Sequence, residues 1–218
     1  MWAAGEYLVI DWAEAAPGLF VFCAVLAFSR WRFVRFAADQ KASTTPAIIA
    51  AALAAIGGVP ANVLADRMGC LKGGVVANVV VPTAQYVRFA THYGFRPDWC
   101  EAADPASKGI VEHLCGYTQS DLVVPLSTEA AVSGVPVSIA AANAAAVTWC
   151  AEVDAAVHSE ICAVPDLHLR HEKQVAEILG LPDGIRQGPL IPTAYTVGTE
   201  FRPGRRAQLD EVLHIDRW

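Results

Sequence analysis

Short apolar runs punctuated by turn signals dominate the first hundred residues. Tyr7-Leu-Val-Ile-Asp-Trp12 is apolar and ends in a carboxylate, and Gly18 to Ala27 is a second run enriched in aromatic and β-branched residues. Both patterns predict strands, with Ala16-Pro17-Gly18 supplying the turn between them. Arg30-Trp-Arg-Phe-Val-Arg-Phe36 nearly alternates basic and apolar side chains, which predicts a third strand with one cationic, wet face. Arg30, Arg32 and Arg35 are then candidates for a nucleic-acid track, with Trp31 and Phe33 in the core; a plain solvated strand is the competing reading. Three strands with short connections predict an antiparallel meander.

Ser43-Thr44-Thr45-Pro46 has the form of a helix start, a hydroxyl cap followed by proline in the first turn, and Gly57-Gly58 stops the Ala-rich helix that follows. Ala61 to Asp66 is again apolar and again ends in a carboxylate, so it predicts a buried strand parallel to its neighbour. Cys70 to Val81 reads as a hairpin insertion, Thr83 to Tyr93 as a helix closed by Gly94, and Phe95 to Cys100 as a last strand confined to an edge by Pro97. A helix capped by Ser107 is expected through about Asp121, with Ile110, Val111, Leu114, Cys115 and Thr118 on its apolar side. A second Ala-rich helix covers about Ser138 to Ser159. Five prolines from Pro165 onward break up any long element, so a compact domain is expected over 1–160 and a poorly specified tail over 161–218.

Composition narrows the classes. The 218 residues are 54% hydrophobic and 17% charged, which excludes a disordered or highly charged chain. Net charge is -6, with -1 over residues 1–125 and -5 over 126–218, so a nucleic-acid role belongs to the first half. The six cysteines are scattered without a CxxC pair and no secretory leader opens the chain, which points to a reduced, cytoplasmic protein. Ala42 to Ala65 and Ala130 to Ala151 are uncharged and long enough to span a bilayer. Their interior Pro, Gly, Asn and Ser and the lack of a flanking basic cluster favour buried helices instead, with no membrane contact.

Three acids stand at informative places: Asp11 at the end of the first strand, Asp66 at the end of the fourth and Glu112 one turn into a helix. If the first and fourth strands are neighbours, Asp11 and Asp66 lie side by side and Glu112 reaches them from the helix. Converging carboxylates suit two hard divalent cations, Mg2+ or Mn2+, of the kind that activate and stabilise oxygens in phosphodiester transfer. Singly, each acid has a structural explanation, a turn former, a helix cap or a complement to the helix dipole.

Glu6-Tyr-Leu-Val-Ile-Asp-Trp12, Phe28 to Phe36, Gly57-Gly-Val-Pro60 with Val63 to Asp66, and Ala106-Ser-Lys-Gly-Ile-Val-Glu112 together resemble the integrase-type catalytic core of bacterial insertion-sequence transposases. The resemblance is greatest to the IstA type, which works with an IstB ATPase helper, and it covers about residues 5–165. It implies an α/β, ribonuclease-H-like (retroviral-integrase-like) mixed five-stranded sheet flanked by helices. It also implies a DDE triad carried onto Asp11, Asp66 and Glu112, two bound metal ions, and a homo-oligomer acting on double-stranded DNA at transposon ends and target. The implied reaction is cleavage at the transposon end, followed by attack of the freed 3'-hydroxyl on target DNA.

Lys108, one turn before Glu112, becomes a DNA-phosphate contact by analogy, an ordinary ion pair with Glu112 being the alternative. Arg67 is a second candidate contact, at a position that many integrase cores fill with Asn. Met1 lies ten residues before Asp11 and no basic C-terminal domain is matched beyond about 165. The expectation is therefore a core truncated at its N-terminus and divergent at its C-terminus. A catalytically silent remnant that at most binds DNA or oligomerises is the alternative.

Two weaker constellations complete the reading. His158, Cys162, His168 and His171 form a loose cluster whose H-x3-C-x5-H-x2-H spacing matches no familiar zinc finger. His113 and Cys115 offer a Cys-His pair whose positions diverge on a helix, while Cys115 and Cys150 suit small packing roles.

Overall fold

The computed structural model describes residues 2–66, 68–77, 79–100 and 105–169, with backbone alone for 105–108. The expected meander forms from β1 (Tyr7–Ala16), β2 (Leu19–Leu26) and β3 (Arg32–Ala37), joined antiparallel. Helix α1 (Thr44–Ile56) crosses over, so β4 (Asn62–Ala65) returns parallel to β1. A detached ribbon of β5 (Lys72–Val76) and β6 (Val79–Pro82) follows, then α2 (Ala84–Tyr93) and β7 (Arg96–Trp99), which pairs parallel with β4. The main sheet has the order β3-β2-β1-β4-β7, mixed and five-stranded as expected, with β7 and its Pro97 at one edge. Helices α3 (Pro105–Thr118), α4 (Val124–Ser133) and α5 (Ile139–Ala155) follow, and the described chain ends in a short helical turn over 165–169.

Alternation along the strands sends successive side chains to opposite faces. Leu8, Ile10, Phe22, Ala24, Phe33 and Val63 face one side, where α1 contributes Ile49 and Leu53 and α2 contributes Tyr86. Val9, Cys23, Val25, Val34 and Leu64 face the other, against Val111 and Leu114 of α3 and Ala142, Ala146 and Trp149 of α5. Because strands buried on both faces must be apolar throughout, β2 reads as an unbroken hydrophobic run. Leu169, in the last described helical turn, is buried on the α1 side.

Several boundaries depart from expectation for identifiable reasons. β1 does not stop at Asp11, because β2 continues to pair with it through Glu14 and Ala16 around a turn in which Gly18 takes a φ of 75°. Ser43 makes no side-chain cap bond; the Thr44 hydroxyl donates to Asp39 instead, at 2.5 Å. Helix α3 starts at Pro105 rather than Ser107, which places Glu112 two turns in. The helix also does not end near Asp121. Pro125 has no N–H to offer the Asp121 carbonyl, and the backbone widens into a π-helical turn over Gln119–Val123 in which the Val124 N–H reaches Gln119 O, before continuing as α4. Among the described residues no helix is long and apolar enough to cross a membrane. The two uncharged stretches are divided between α1 and β4 and between α4 and α5.

The open edge of β3 is covered by side chains of α5. Asn143 accepts from the Phe36 N–H at 2.8 Å and donates to its carbonyl at 3.0 Å, Cys150 bonds the Val34 backbone, and Asp154 accepts from the Arg32 N–H at 3.0 Å. Outward-facing backbone groups at alternate residues are thereby satisfied, which removes a template for strand addition. These three α5 residues lie on one flank of the helix, at i, i+7 and i+11.

Candidate active site

Sheet register brings the first two acids together. β1 and β4 run parallel with Ile10 opposite Ala65, so Asp11 and Asp66 are the next positions in the ladder, where β4 ends and β1 continues. Asp11 follows Val9 by two residues and Asp66 follows Leu64 by two, so alternation assigns both to the face covered by α3 and α5. The carboxyl end of a parallel pair is where open α/β sheets place their ligand sites. One Asp11 oxygen accepts from the Trp12 N–H at 2.8 Å, which orients the carboxylate.

Opposite Asp11 in the β1–β2 pair stands Cys23, buried under α3. Its thiol donates to the Thr118 hydroxyl at 3.7 Å. The hydrogen bond with Cys115 and the burial of the site hold it well above the ordinary thiol range, and the charge of Asp11 adds to the rise. Cys23 is accordingly a neutral thiol that packs. Helix α3 runs alongside β1, and directly after it Gln119, the first residue of the π-helical turn, donates to the Glu14 carbonyl at 2.7 Å. Glu112, Cys115 and Gln119 share one flank at i, i+3 and i+7, so Glu112 lies on the flank whose other members reach β1 and β2.

Glu112 is exposed, and among the described residues no group of three or more His, Cys, Asp or Glu converges to hold a metal ion. The donor chemistry of Asp11 and Asp66 and their adjacent register suit a divalent cation. Arg67 lies outside the described residues, as does the Lys108 side chain.

The other constellations resolve differently from expectation. Arg30 and Arg32 do not form a wet cationic face. Arg30 sits in a positive-φ bend after β2 and makes a two-pronged bond to Glu160 at 2.8 and 3.0 Å, with a further bond to the Ala27 carbonyl. Arg32 is buried against Asp154 at 2.9 Å. Both fall on the α5 side, where a buried guanidinium must find a carboxylate; Arg35 alone of the three is partly exposed, over the Phe33 ring at 5.1 Å. His158, Cys162 and His168 form no metal cluster, since His158 accepts from the Glu160 N–H while His168 stacks on Phe28; His171 lies outside the described residues. His113 lines a cavity of about 580 Å³ with Trp2, Tyr117 and the paired arginines, and Cys115 faces the sheet, so the two do not pair.

Burial pushes the Asp154 carboxyl up to about 6, only partly offset by Arg32. Between the ordinary value of 3.8 and about 6 the folded chain therefore holds a proton that the unfolded chain releases. This contribution to stability is full below the lower limit and is lost as pH rises through 6. Urea unfolding of the native protein and of Asp154→Asn across this window is expected to show the native protein losing stability relative to the variant as pH rises. Parallel curves would exclude a raised carboxyl.

The same fold recurs in solved structures. The catalytic core domain of BIV integrase superposes with a TM-score of 0.58 at 12% identity, covering 80% of this chain and 99% of that one. The simian T-cell lymphotropic virus intasome in complex with PP2A regulatory subunit B56 gamma gives a TM-score of 0.58 at 17% identity, covering 91% of this chain and 61% of that one. The fold is that of the integrase catalytic core. Similarity in sequence to this chain is found in a protein assigned as a putative transposase for insertion sequence element IS5376 of Geobacillus stearothermophilus, 29% identical over 133 residues. The transposase for insertion sequence element IS21-like of Bacteroides fragilis is 28% identical over 130 residues. These alignments cover 57% and 55% of this chain but 33% and 25% of the relatives, so the chain spans a third or less of their length. No protein-family model matches it.

Proposed function

We propose that this chain carries the DNA strand cleavage and strand transfer chemistry of an insertion-sequence transposase of the IstA type. The observation that carries the reading is the parallel β1–β4 register, which sets Asp11 beside Asp66 at the carboxyl end of β4. Similarity to two insertion-sequence transposases supports DNA as the substrate. Asp11 and Asp66 would hold Mg2+ or Mn2+, with Glu112 as the third carboxylate and two ions as the full complement. Ions held there would supply Lewis-acid stabilisation of oxygens in phosphodiester transfer. The chain's own part is to fix two carboxylates on a rigid sheet and to exclude solvent beneath them with the packed α3 flank. Lys108 and Arg67 are proposed as phosphate contacts near the site. Assembly into a homo-oligomer on duplex transposon ends and target, with an IstB-type ATPase helper, belongs to the same reading.

A second reading has one observation in its favour: among the described residues no group of three or more His, Cys, Asp or Glu is placed to hold a metal ion. On that reading the chain is a chemically silent core that binds DNA or self-associates.

Incubating the purified chain with labelled duplex DNA bearing a free 3'-hydroxyl end and Mg2+ or Mn2+ separates the two. Joined or nicked strands that disappear on chelation are the expected result. DNA binding with no strand cleavage or joining under either metal would overturn the catalytic reading in favour of the silent core.

A further inference from the structure

The cavity lined by His113 lies where α3 meets the β2–β3 end of the sheet. It extends from Val25, opposite Val9, to the bend at Arg30, and so away from Asp11, which stands further along β1 opposite Cys23. At about 580 Å³ it has the size of a small-molecule site, and Val25, Ile110 and Leu114 give it an apolar wall. Against that wall stand Arg30, Arg32, His113 and His158, with Glu160 as the one carboxylate among the described lining residues.

The basic groups are held in place and only partly used. Arg32 is 9% exposed, and its side-chain bonds to Asp154 and the Val153 carbonyl both leave from Nη1. Among the described residues its Nε–Nη2 edge bonds nothing, so a buried guanidinium keeps two parallel N–H donors, the fork that fits two oxygens of one anion. The charge of Arg32 acts on His158 and on Tyr117, both on the cavity wall. Arg30 reaches the cavity from a backbone φ of 61°, a conformation costly for any residue but glycine. What these groups attract is shown by Glu160, which accepts from Arg30 at 2.8 and 3.0 Å. That bond holds its carboxyl below the usual range, and the charges of Arg30, His158 and His113 act the same way. The Glu160 side chain is 61% exposed, and the cavity remains open with it in place. His158 accepts from the Glu160 N–H through Nδ1, which leaves the proton of the neutral ring on Nε2 as a further donor.

We propose that this cavity binds a small organic phosphate monoester, with its oxygens on the free Arg32 edge and the imidazoles of His113 and His158. A phosphate monoester presents three terminal acceptor oxygens, enough for the fork and both imidazoles, where a carboxylate presents two. The apolar wall, with Trp2 and Tyr117, suits an aromatic or aliphatic body. Neither a metal ion nor the paired aspartates take part, so the site stands independently of the strand-transfer reading.

The test is titration calorimetry of the purified chain with phenyl phosphate, in a phosphate-free buffer containing a chelator, beside inorganic phosphate, benzoate and phenol. Phenyl phosphate is expected to bind saturably at one site, and more tightly than the other three. Arg32→Lys keeps a charge beside Asp154 and removes the fork, so affinity is expected to fall by about tenfold or more, the scale of a lost bond to a charged group. His113→Ala, at an exposed position, is expected to weaken binding as well, and His92→Ala, an exposed imidazole on α2, to leave it unchanged. Glu160→Gln removes a like charge beside the ligand and is expected to strengthen binding. Thermal unfolding checks the fold of each variant, and His113→Ala decides the matter should Arg32→Lys fail to fold. A folded native chain that takes up no phenyl phosphate overturns the proposal. Native affinity in both Arg32→Lys and His113→Ala overturns it too, as does an equal loss in His92→Ala. Benzoate bound as tightly as phenyl phosphate overturns the assignment to a phosphate.

Discussion

Asp66→Asn is expected to lower strand transfer by at least about a thousandfold, because the several kcal/mol of transition-state charge stabilisation assigned to a metal site disappear with one carboxylate. Asparagine keeps the shape and one oxygen acceptor and removes only the negative charge. Asp66 follows β4 at its carboxyl end and is only partly buried, so duplex affinity and the thermal midpoint are expected to stay at native values. Asp11→Asn is expected to match it, since an amide oxygen still accepts the Trp12 N–H that orients this side chain. The double variant is expected to be no worse than either single one, as groups that act as a unit lose their effect together. Glu112→Gln decides the third position. A loss of similar size places Glu112 with the aspartates in the working complex, and native activity confines the site to Asp11 and Asp66. Unchanged strand transfer in Asp66→Asn would remove that residue from the site.

Asp154→Ala is expected to destabilise the fold by about 3–5 kcal/mol in urea unfolding, the cost of stranding a buried charge. The Arg32 guanidinium would lose its only carboxylate among the described ion pairs, at 2.9 Å, and the Arg32 N–H would lose its acceptor. The pair is not thereby a large net stabiliser, because removing two charges from water opposes their attraction. Replacing both partners, as Arg32→Met with Asp154→Leu, should recover most of the loss. What persists is the unsatisfied N–H at position 32 on the β3 edge, about 1–3 kcal/mol. Asp154→Ala unfolding at native urea concentrations would show that Arg32 finds water or another acceptor.

Both predictions bear on positions that the sequence treats very differently. The meander, the crossover by α1, the parallel return of β4 and the edge placement of β7 are all readable from apolar runs, turn residues and Pro97, because these signals are local and period-bound. The pairing of Asp11 with Asp66 is readable on one further assumption, that β1 and β4 are neighbours. Parallel register then follows without any side-chain information.

Other positions mislead because their fate depends on what packs over them. Arg30, Arg32 and Arg35 alternate with apolar residues as a solvated strand would, yet α5 arrives from over a hundred residues later, and Asp154 and a loop carrying Glu160 turn two of the arginines inward. Periodicity records which residues share a face, not whether that face is wet. Pro125 signals a helix end by its missing N–H, but the π-helical turn at Gln119–Val123 absorbs it, and bonds from Gln119 to Glu14 and from Trp149 to Asp121 secure the turn. Those stabilising bonds reach far along the chain, outside any local window.

By itself, then, the sequence determined the order and type of the strands and the two aspartates at one end of the parallel pair. Each depends on residue type and short spacing. Tertiary structure alone decided that β3 is sealed by Asn143, Cys150 and Asp154 and that Arg30 and Arg32 are buried. Each of these depends on where a helix comes to rest on the sheet, which the summed packing of two faces sets and no single stretch of sequence encodes.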